Sequence, residues 1–182
     1  MDLVKVIEVA ANEVGVREVP ANSNRGPRVE TYQKYVGVWL VGGAWCAAFV
    51  SWCFGQVFDK ANPVGKQSAA IMGYWTRNKS REDFIRFLPE DVISGKYKIE
   101  AGDIFVMCSD PLKVKDVKSD KLGAHIGHCG ICKGEMVSAL EFKTYEGNTN
   151  TGGSREGGGV YARSRKLNEA KLVGFVRYLG KK

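Results

Sequence analysis

The hydrophobic pattern of the chain changes its period about halfway along. In the first half apolar residues recur every three or four positions, which is the spacing of a helix face. This spacing predicts helices over residues 2–14, about 28–36, 46–58 and 67–78. Beyond residue 90 the apolar runs are short and bounded by glycine or charged residues, which is typical of strands. We place strands at 104–108, 126–132, 136–146, 160–163 and 172–179, with a turn at 133–135 and a loop over 109–121. Helices followed by an antiparallel meander predict an α+β fold.

The length of 182 residues suits one domain with a sizeable core. We expect a single domain over 1–182, with a helical lead-in at 1–40, a helical part at 41–80 and an antiparallel sheet at 100–180. No apolar run approaches the length of a membrane span. The N-terminal segment carries charges throughout, so we expect no signal peptide.

The chain is basic, with 27 Lys and Arg against 20 Asp and Glu and a net charge of +7. This charge predicts either simple solubility or electrostatic contact with a polyanion, such as an anionic cell wall or membrane. No nucleic-acid-binding motif is present, so nucleic acid is not an expected partner. The five cysteines are odd in number and follow no secretion signal, which favours reduced thiols over a disulfide framework.

Cys46 begins the most apolar of the predicted helices, directly after a turn at Gly42-Gly43. The first N–H groups of a helix are unpaired and its dipole is positive there, so a thiolate is stabilised at this position. The same N–H groups suit the oxyanion of an acyl-transfer reaction. Cys46 is therefore a candidate nucleophile, with a buried core cysteine as the alternative. Cys53 lies two turns further along and is expected in the core.

The chain has only two histidines, His125 and His128, so a base for Cys46 must be one of them. Strand alternation places His128 on the same face as Gly130 and Cys132. The missing side chain at Gly130 predicts open space beside His128, as substrate access requires. We favour His128 as the base and expect His125 to be a cleft-edge or structural residue.

A catalytic histidine needs a partner that orients its second nitrogen. Glu146 and Asn148 are two residues apart and face the same way on a strand. A two-residue turn at Gly134-Glu135 would instead pair His128 with Glu141 and put Glu146 on the opposite face. A longer turn or a β-bulge restores Glu146 to the face of His128. Glu146 and Glu141 are thus both open as the third residue.

Several short motifs, taken in order, resemble the CHAP family of cysteine/histidine-dependent amidohydrolases and peptidases. The resemblance covers nearly the whole chain, and it rests on the order and spacing of the motifs more than on any one of them. The motifs are Trp45-Cys46-Ala47-Ala48-Phe49-Val50, Gly102-Asp103-Ile104, Gly127-His128-Cys129-Gly130-Ile131, Glu146-Gly147-Asn148 and the closing Gly174-Phe175-Val176-Arg177. The opening with Glu18, Asn24-Arg25-Gly26 and Tyr35 is similar to the lead-in of phage and bacterial members.

The resemblance implies a papain-like α+β fold, with the cysteine at the start of a central helix packed on an antiparallel sheet. It implies peptidoglycan as the substrate, cut at an amide bond by an N-acetylmuramoyl-L-alanine amidase or an endopeptidase. By position, Cys46 is the nucleophile, His128 the base, Glu146 the orienting acid and Asn148 an auxiliary polar group. An endolysin or lytic effector of this kind is made in the cytoplasm and reaches the wall after release or export. We expect a monomer.

Some members of that family bind calcium through an Asp-rich loop just before the cysteine. The corresponding segment here, Val36 to Ala44, has no carboxylate, so we expect neither calcium nor another cofactor. One rival hypothesis is a metal-binding module that uses the CxxC at Cys129 and Cys132, with Cys108, His125 and His128 as further ligands. A regular strand points the two CxxC thiols to opposite faces, which disfavours it. The other rivals are a non-catalytic wall-binding domain and a thiol amidase of another substrate.

Overall fold

The computed structural model describes residues 2–68, 72–121, 127–152 and 157–180. Within these ranges four helices precede the first strand, as the hydrophobic pattern predicts, and two short helices lie between strands. The helices are α1 (Leu3–Asn12), α2 (Pro27–Val36), α3 (Cys46–Phe58), α4 (Met72–Arg77), α5 (Pro89–Ile93) and α6 (Val114–Lys118). The strands are β1 (Phe84–Phe87), β2 (Ala101–Cys108), β3 (Gly127–Ser138), β4 (Glu141–Thr149), β5 (Gly159–Lys166) and β6 (Leu172–Tyr178).

The six strands form one sheet in the order β1-β6-β2-β3-β4-β5, and every neighbouring pair is antiparallel. The predicted α+β class is therefore confirmed. The prediction of a loop over 109–121 is wrong in part, because α6 forms there. Val114 and Val117 are three residues apart, and both pack on the apolar core, so the charged segment still has one buried helix face. In the part of the chain that is described, no helix has the length and hydropathy needed to cross a bilayer.

Helix α3 lies at the centre of the larger apolar cluster and is buried on every face over its first ten residues. It contacts helices α1 and α2 and strands β3 and β4. Gly147 makes this packing close, because a Cβ added there would lie 2.7 Å from Trp45 and from Phe49. The glycine of the Glu146-Gly147-Asn148 motif thus has a packing role beneath the start of the helix.

A second apolar cluster fills the other face of the sheet and is built around Phe105, Phe142 and Phe175. Strand alternation divides the β3 cysteines between the two clusters. Cys129 belongs to the α3 cluster and Cys132 to the second one. The two thiols of the CxxC therefore lie on opposite faces of the sheet, as the strand pattern predicts.

The β3–β4 hairpin does not turn at residues 133–135, so that prediction is wrong. Strand β3 continues to Ser138, and the turn lies at 139–140. Ile131 pairs with Tyr145, and the register then shifts twice before the turn. Gly134 has a φ of +77° and lies against the backbone of Ala101. Glycine at this position therefore indicates an irregular strand and not a turn.

Two of the motifs on which the family resemblance rests are joined by an ion pair between β2 and β6. Arg177 on β6 donates from Nε to Asp103 Oδ1 and from Nη2 to Asp103 Oδ2, both at 2.8 Å. Asp103 Oδ2 also accepts from the backbone N–H of Glu100 at 2.8 Å. Burial raises the pKa of Asp103 despite these hydrogen bonds. The pair joins β2 to β6 and is a structural ion pair of the sheet.

Candidate active site

The segment before α3 is held in place by side chains from the N-terminal region. The indole Nε1 of Trp45 donates to Oε1 of Glu18 at 2.8 Å, and Glu18 is itself buried. The amide of Gln33 donates to the carbonyls of Asn24 and Gly43, both at 2.8 Å. The N-terminal region thereby fixes Gly43 and Trp45, which lead directly into α3.

Cys46 is the first residue of α3 and is 2% exposed. No side chain caps this helix end, so its first N–H groups face the site without a capping partner. The pKa of Cys46 is well below its usual value. The hydrogen bond from the Cys129 thiol contributes most to this shift; burial opposes it, while His128 and the backbone N–H of Ala47 also lower the pKa. Cys46 is thus an acidic thiol at a helix N-terminus.

His128 is the second residue of β3 and is 5% exposed. Its Nε2 lies 2.8 Å from Oε2 of Glu146. Its Nδ1 is buried and has no hydrogen-bond partner of standard geometry within the described residues, which leaves it available to the Cys46 thiol. Burial lowers the pKa of His128, but the hydrogen bonds and charges of Cys46 and Glu146 outweigh burial and raise it to about 9. The structure therefore favours an imidazolium beside a thiolate.

Of the two carboxylates considered as partners of His128, Glu146 is the one that contacts it. The register at Ile131 and Tyr145 puts His128 and Glu146 on the same face of the hairpin, and the two register shifts between this pair and the turn make that possible. Glu146 has no exposed surface, whereas Glu141 lies beside the turn at the other end of β4 and pairs with Lys166 on β5. The structure thus brings Glu146, and not Glu141, to His128.

The space predicted beside His128 at Gly130 is occupied, so that interpretation is wrong. A Cβ at Gly130 would lie 2.7 Å from the Phe105 ring and 2.8 Å from Cγ of Glu146. The glycine makes room for the carboxylate side chain to pass across β3 towards the imidazole. Its role is to admit Glu146, and substrate access is not part of it.

Asn148 lies at the end of β4 with 1% exposure and a φ of +56°, a left-handed conformation that asparagine tolerates better than most residues. Its Oδ1 has no hydrogen-bond partner in the described part of the chain. No hydrogen bond found there joins its side chain to Cys46, His128 or Glu146. The structure therefore places Asn148 two residues beyond Glu146 on β4 and outside the group that is hydrogen-bonded to His128.

Two polar partners of Glu146 were not predicted from the sequence. Arg165 on β5 donates from Nε to Oε1 at 2.8 Å and from Nη2 to Oε2 at 2.5 Å. Thr144 donates from Oγ1 to Oε1 at 2.7 Å. Burial raises the pKa of Glu146, but the hydrogen bonds from His128 and Arg165 outweigh it and lower the pKa to about 2. Arg165 lies two residues past the predicted strand 160–163, and no local motif marks it.

The neighbouring thiol Cys129 is also part of this group, on the α3 side of β3. Burial raises the pKa of Cys129 well above its usual value, and the hydrogen bond with Cys46 adds to the increase. Cys129 therefore stays protonated and donates to the Cys46 thiolate. The hydrogen bond between the two thiols thus shifts their pKa values in opposite directions, down for Cys46 and up for Cys129.

Replacing Cys129 with alanine is expected to raise the pKa of Cys46, because the strongest interaction that lowers it is lost. Iodoacetamide alkylation of Cys46, followed by mass spectrometry across pH, measures this change. Alkylation at pH 6 should become several-fold slower, and Cys129→Ser should restore the rate because its hydroxyl still donates. Cys53→Ala, which removes a core thiol remote from the site, is the matched control. An unchanged profile in Cys129→Ala would contradict the assigned hydrogen bond.

The metal-binding hypothesis has no support among the described residues. They contain no group of three or more His, Cys, Asp or Glu side chains arranged to hold a metal ion. His125, one of the ligands considered from the sequence, lies outside the described ranges.

The fold of the chain is similar to that of a solved structure. That structure is the crystal structure of a wild-type endolysin, LysIME-EF1, which matches with a TM-score of 0.56 at 16% sequence identity. The match covers 97% of this chain and 63% of the endolysin chain, so the present chain spans less than two thirds of that protein's length. At this identity the likeness is one of fold. No protein-family model and no curated protein sequence matches the chain.

Proposed function

We propose that this protein is a cysteine-dependent hydrolase that cleaves an amide bond of peptidoglycan. The observation that carries the proposal is the position of His128 between the Cys46 thiol, at the start of α3, and the Glu146 carboxylate, 2.8 Å from Nε2. A nucleophile, a base and an orienting acid in this order are the parts of a thiol acyl-transfer site. The order of the motifs along the chain supports a site of the CHAP and papain-like kind.

In the proposed reaction the Cys46 thiolate attacks the amide carbonyl and forms a C–S bond, while the carbonyl electrons move to oxygen. The N–H groups at the start of α3 stabilise this oxyanion. The C–N bond then breaks, and the His128 imidazolium gives its proton to the leaving amine. Neutral His128 next takes a proton from water, the hydroxide adds to the thioester carbonyl, and the C–S bond breaks to release the Cys46 thiolate. The products are a carboxylic acid, the free amine and the regenerated thiolate–imidazolium pair.

Two observations support peptidoglycan as the substrate class. A solved structure with a similar fold is that of an endolysin. The net charge of +7 favours contact with an anionic wall or membrane. In this proposal the protein acts as a monomer on the cell wall, which it reaches after release or export from the cytoplasm. The bond is either the muramoyl–alanine amide or a peptide bond of the stem or cross-bridge.

Digestion of purified peptidoglycan, followed by mass spectrometry of the soluble fragments, tests the proposal and identifies the bond. Cleavage by an amidase frees the amino terminus of L-alanine, whereas an endopeptidase creates a new terminus within the peptide. We expect one such terminus to appear with the wild-type protein. Sedimentation with the wall without any new terminus would instead identify a wall-binding domain. A reactive Cys46 with no cleavage and no wall binding would favour an amidase of another substrate.

A further inference from the structure

Strand β5 carries a buried arginine that the proposed reaction does not use. It pairs with Phe142 of the second apolar cluster. Arg165 has a side chain that is 7% exposed, and its guanidinium forms a two-pronged ion pair with Glu146. Its Nη1 also lies 3.5 Å from Oε2 of Glu169, which follows β5. Burying an arginine has a large desolvation cost, which a charged and hydrogen-bonded partner must offset. That partner is the carboxylate that binds His128.

We propose that Arg165 is a positioning residue of the active site, which fixes the Glu146 carboxylate against His128 and shares its charge. This inference rests on the proposed function for its catalytic consequence, and on geometry for the link between Arg165 and His128.

The hydrogen bonds around Glu146 show how the orientation is fixed. Each carboxylate oxygen accepts two of them, Oε2 from His128 and Arg165, and Oε1 from Arg165 and Thr144. A glutamate has three side-chain torsions, and a single hydrogen bond to His128 would leave the carboxylate free to turn. The planar fork of the guanidinium holds both oxygens in one plane, which a lysine ammonium does not do. Oε2 therefore stays directed at Nε2.

Packing against the Phe105 ring also limits rotation of the Glu146 carboxylate. The guanidinium carbon of Arg165 lies 5.7 Å from the centre of the Phe105 ring. The centre of the His128 ring lies 5.9 Å from the same ring. Phe105 therefore contacts both ends of the charge network, and Gly130 leaves the gap through which Glu146 joins them. These contacts leave the carboxylate little freedom to move away from the imidazole.

The electrostatic consequence follows from the charges that face His128. They are Cys46 from α3, Glu146 from β4 and, through the same carboxylate, Arg165 from β5; Cys129 on β3 stays neutral. Glu169 contacts Nη1 of Arg165, whereas Glu146 accepts from Nε and Nη2. A cation bound to the same carboxylate oxygen disfavours a second positive charge on the imidazole. Arg165 thus holds the pKa of His128 below the value that an unshared Glu146 would impose.

Imidazole NMR tests this link without any substrate, because the chain has only two histidines. The wild-type protein and Arg165→Gln are titrated, and a His125→Gln variant of each assigns the signals. We expect His128 to titrate at about 9 in the wild-type protein. Its titration midpoint should rise by about one pH unit in Arg165→Gln, since one nearby positive charge is removed. A folded Arg165→Gln protein with an unchanged midpoint would overturn the proposal.

Arg165→Lys separates orientation from charge, and it also decides the question if Arg165→Gln does not fold. Lysine keeps the positive charge but loses the fork. The midpoint of His128 should stay within a few tenths of a unit, while kcat on peptidoglycan falls by about tenfold or more and KM is unchanged. Wild-type kcat in Arg165→Lys would contradict the positioning role.

Arg177→Gln is the matched control, because Arg177 also forms a buried two-pronged pair with a carboxylate. Its partner Asp103 lies four residues along β2 from Met107, which pairs with His128. The control should lower thermal stability but leave the His128 midpoint in place, and a matching rise there would sink the proposal. Failure of the proposed function shows itself separately, as a wild-type protein that cuts no peptidoglycan while the NMR shift in Arg165→Gln persists.

Discussion

Replacing Cys46 with alanine is expected to abolish peptidoglycan cleavage, with a loss of about 10⁴-fold or more in kcat. The thiolate is the only group at the start of α3 that can form the acyl-enzyme, and the helix-start N–H groups act on an oxyanion that would no longer form. The measurement is the release of new termini from purified peptidoglycan, compared at equal protein concentration. Because Cys46 is buried among apolar residues, alanine fills most of its volume and the fold should be retained.

The matched control for this prediction is Cys53→Ala. Cys53 lies on the same helix, and burial raises the pKa of its thiol well above the usual value. It is therefore an unreactive core thiol, and its loss should leave the rate within about twofold, because only a small volume is removed from the core. Full activity in a folded Cys46→Ala protein would exclude thiol catalysis at this site.

Replacing Glu146 with glutamine is expected to lower kcat by about 10²- to 10⁴-fold. The amide keeps the shape of the side chain but removes the charge that stabilises the imidazolium and presents an N–H where Arg165 donates. The same substitution at Glu141 should leave the rate within about twofold, because Glu141 lies beside the hairpin turn. The pair of variants decides between the two carboxylates that the sequence left open. A larger loss in Glu141→Gln than in Glu146→Gln would reverse the assignment.

The pH profile gives Glu146→Gln a second readout with a definite sign. Activity rises as Cys46 loses its proton and falls as His128 loses the proton that it gives to the leaving amine. The second limb lies at about 9 in the wild-type protein. Because the hydrogen bond and charge of Glu146 both raise the pKa of His128, their loss moves the alkaline limb to lower pH. The effect is opposite to that of Arg165→Gln, so the two variants can be told apart.

The parts of the fold that depend on local pattern were predictable from the sequence. Helix α3 begins and ends where the apolar run does, at Cys46 and Phe58. Strand β1 was missed because it has four residues, one of them Arg86, and gains its order by pairing with β6. Helix α6 was missed because only one of its faces is apolar and the remainder is charged.

In the candidate site, the sequence predicted only the residues whose position follows from the helix or strand that carries them. Cys46 follows from a helix start, and His128 follows from strand alternation. The choice of Glu146 depends on the register of a hairpin, and the glycine at 134 indicated a turn where the strand is merely irregular. Arg165 depends on a pairing between β4 and β5, which no local pattern encodes. The contacts that cross between elements are thus the ones that sequence reasoning could not supply.

The irregular half of the β3–β4 hairpin also indicates where the chain can gain or lose residues. The two register shifts lie between Cys132 and Ser138, on the turn side of the regular pairs that align His128 with Glu146. Met136, Val137 and Leu140 are exposed near the hairpin tip. A residue gained or lost there changes the bulges before it reaches the paired segment. The tip is therefore a natural position for insertions, peptide tags or a fused binding module, because the alignment of the charged residues is decided elsewhere in the hairpin.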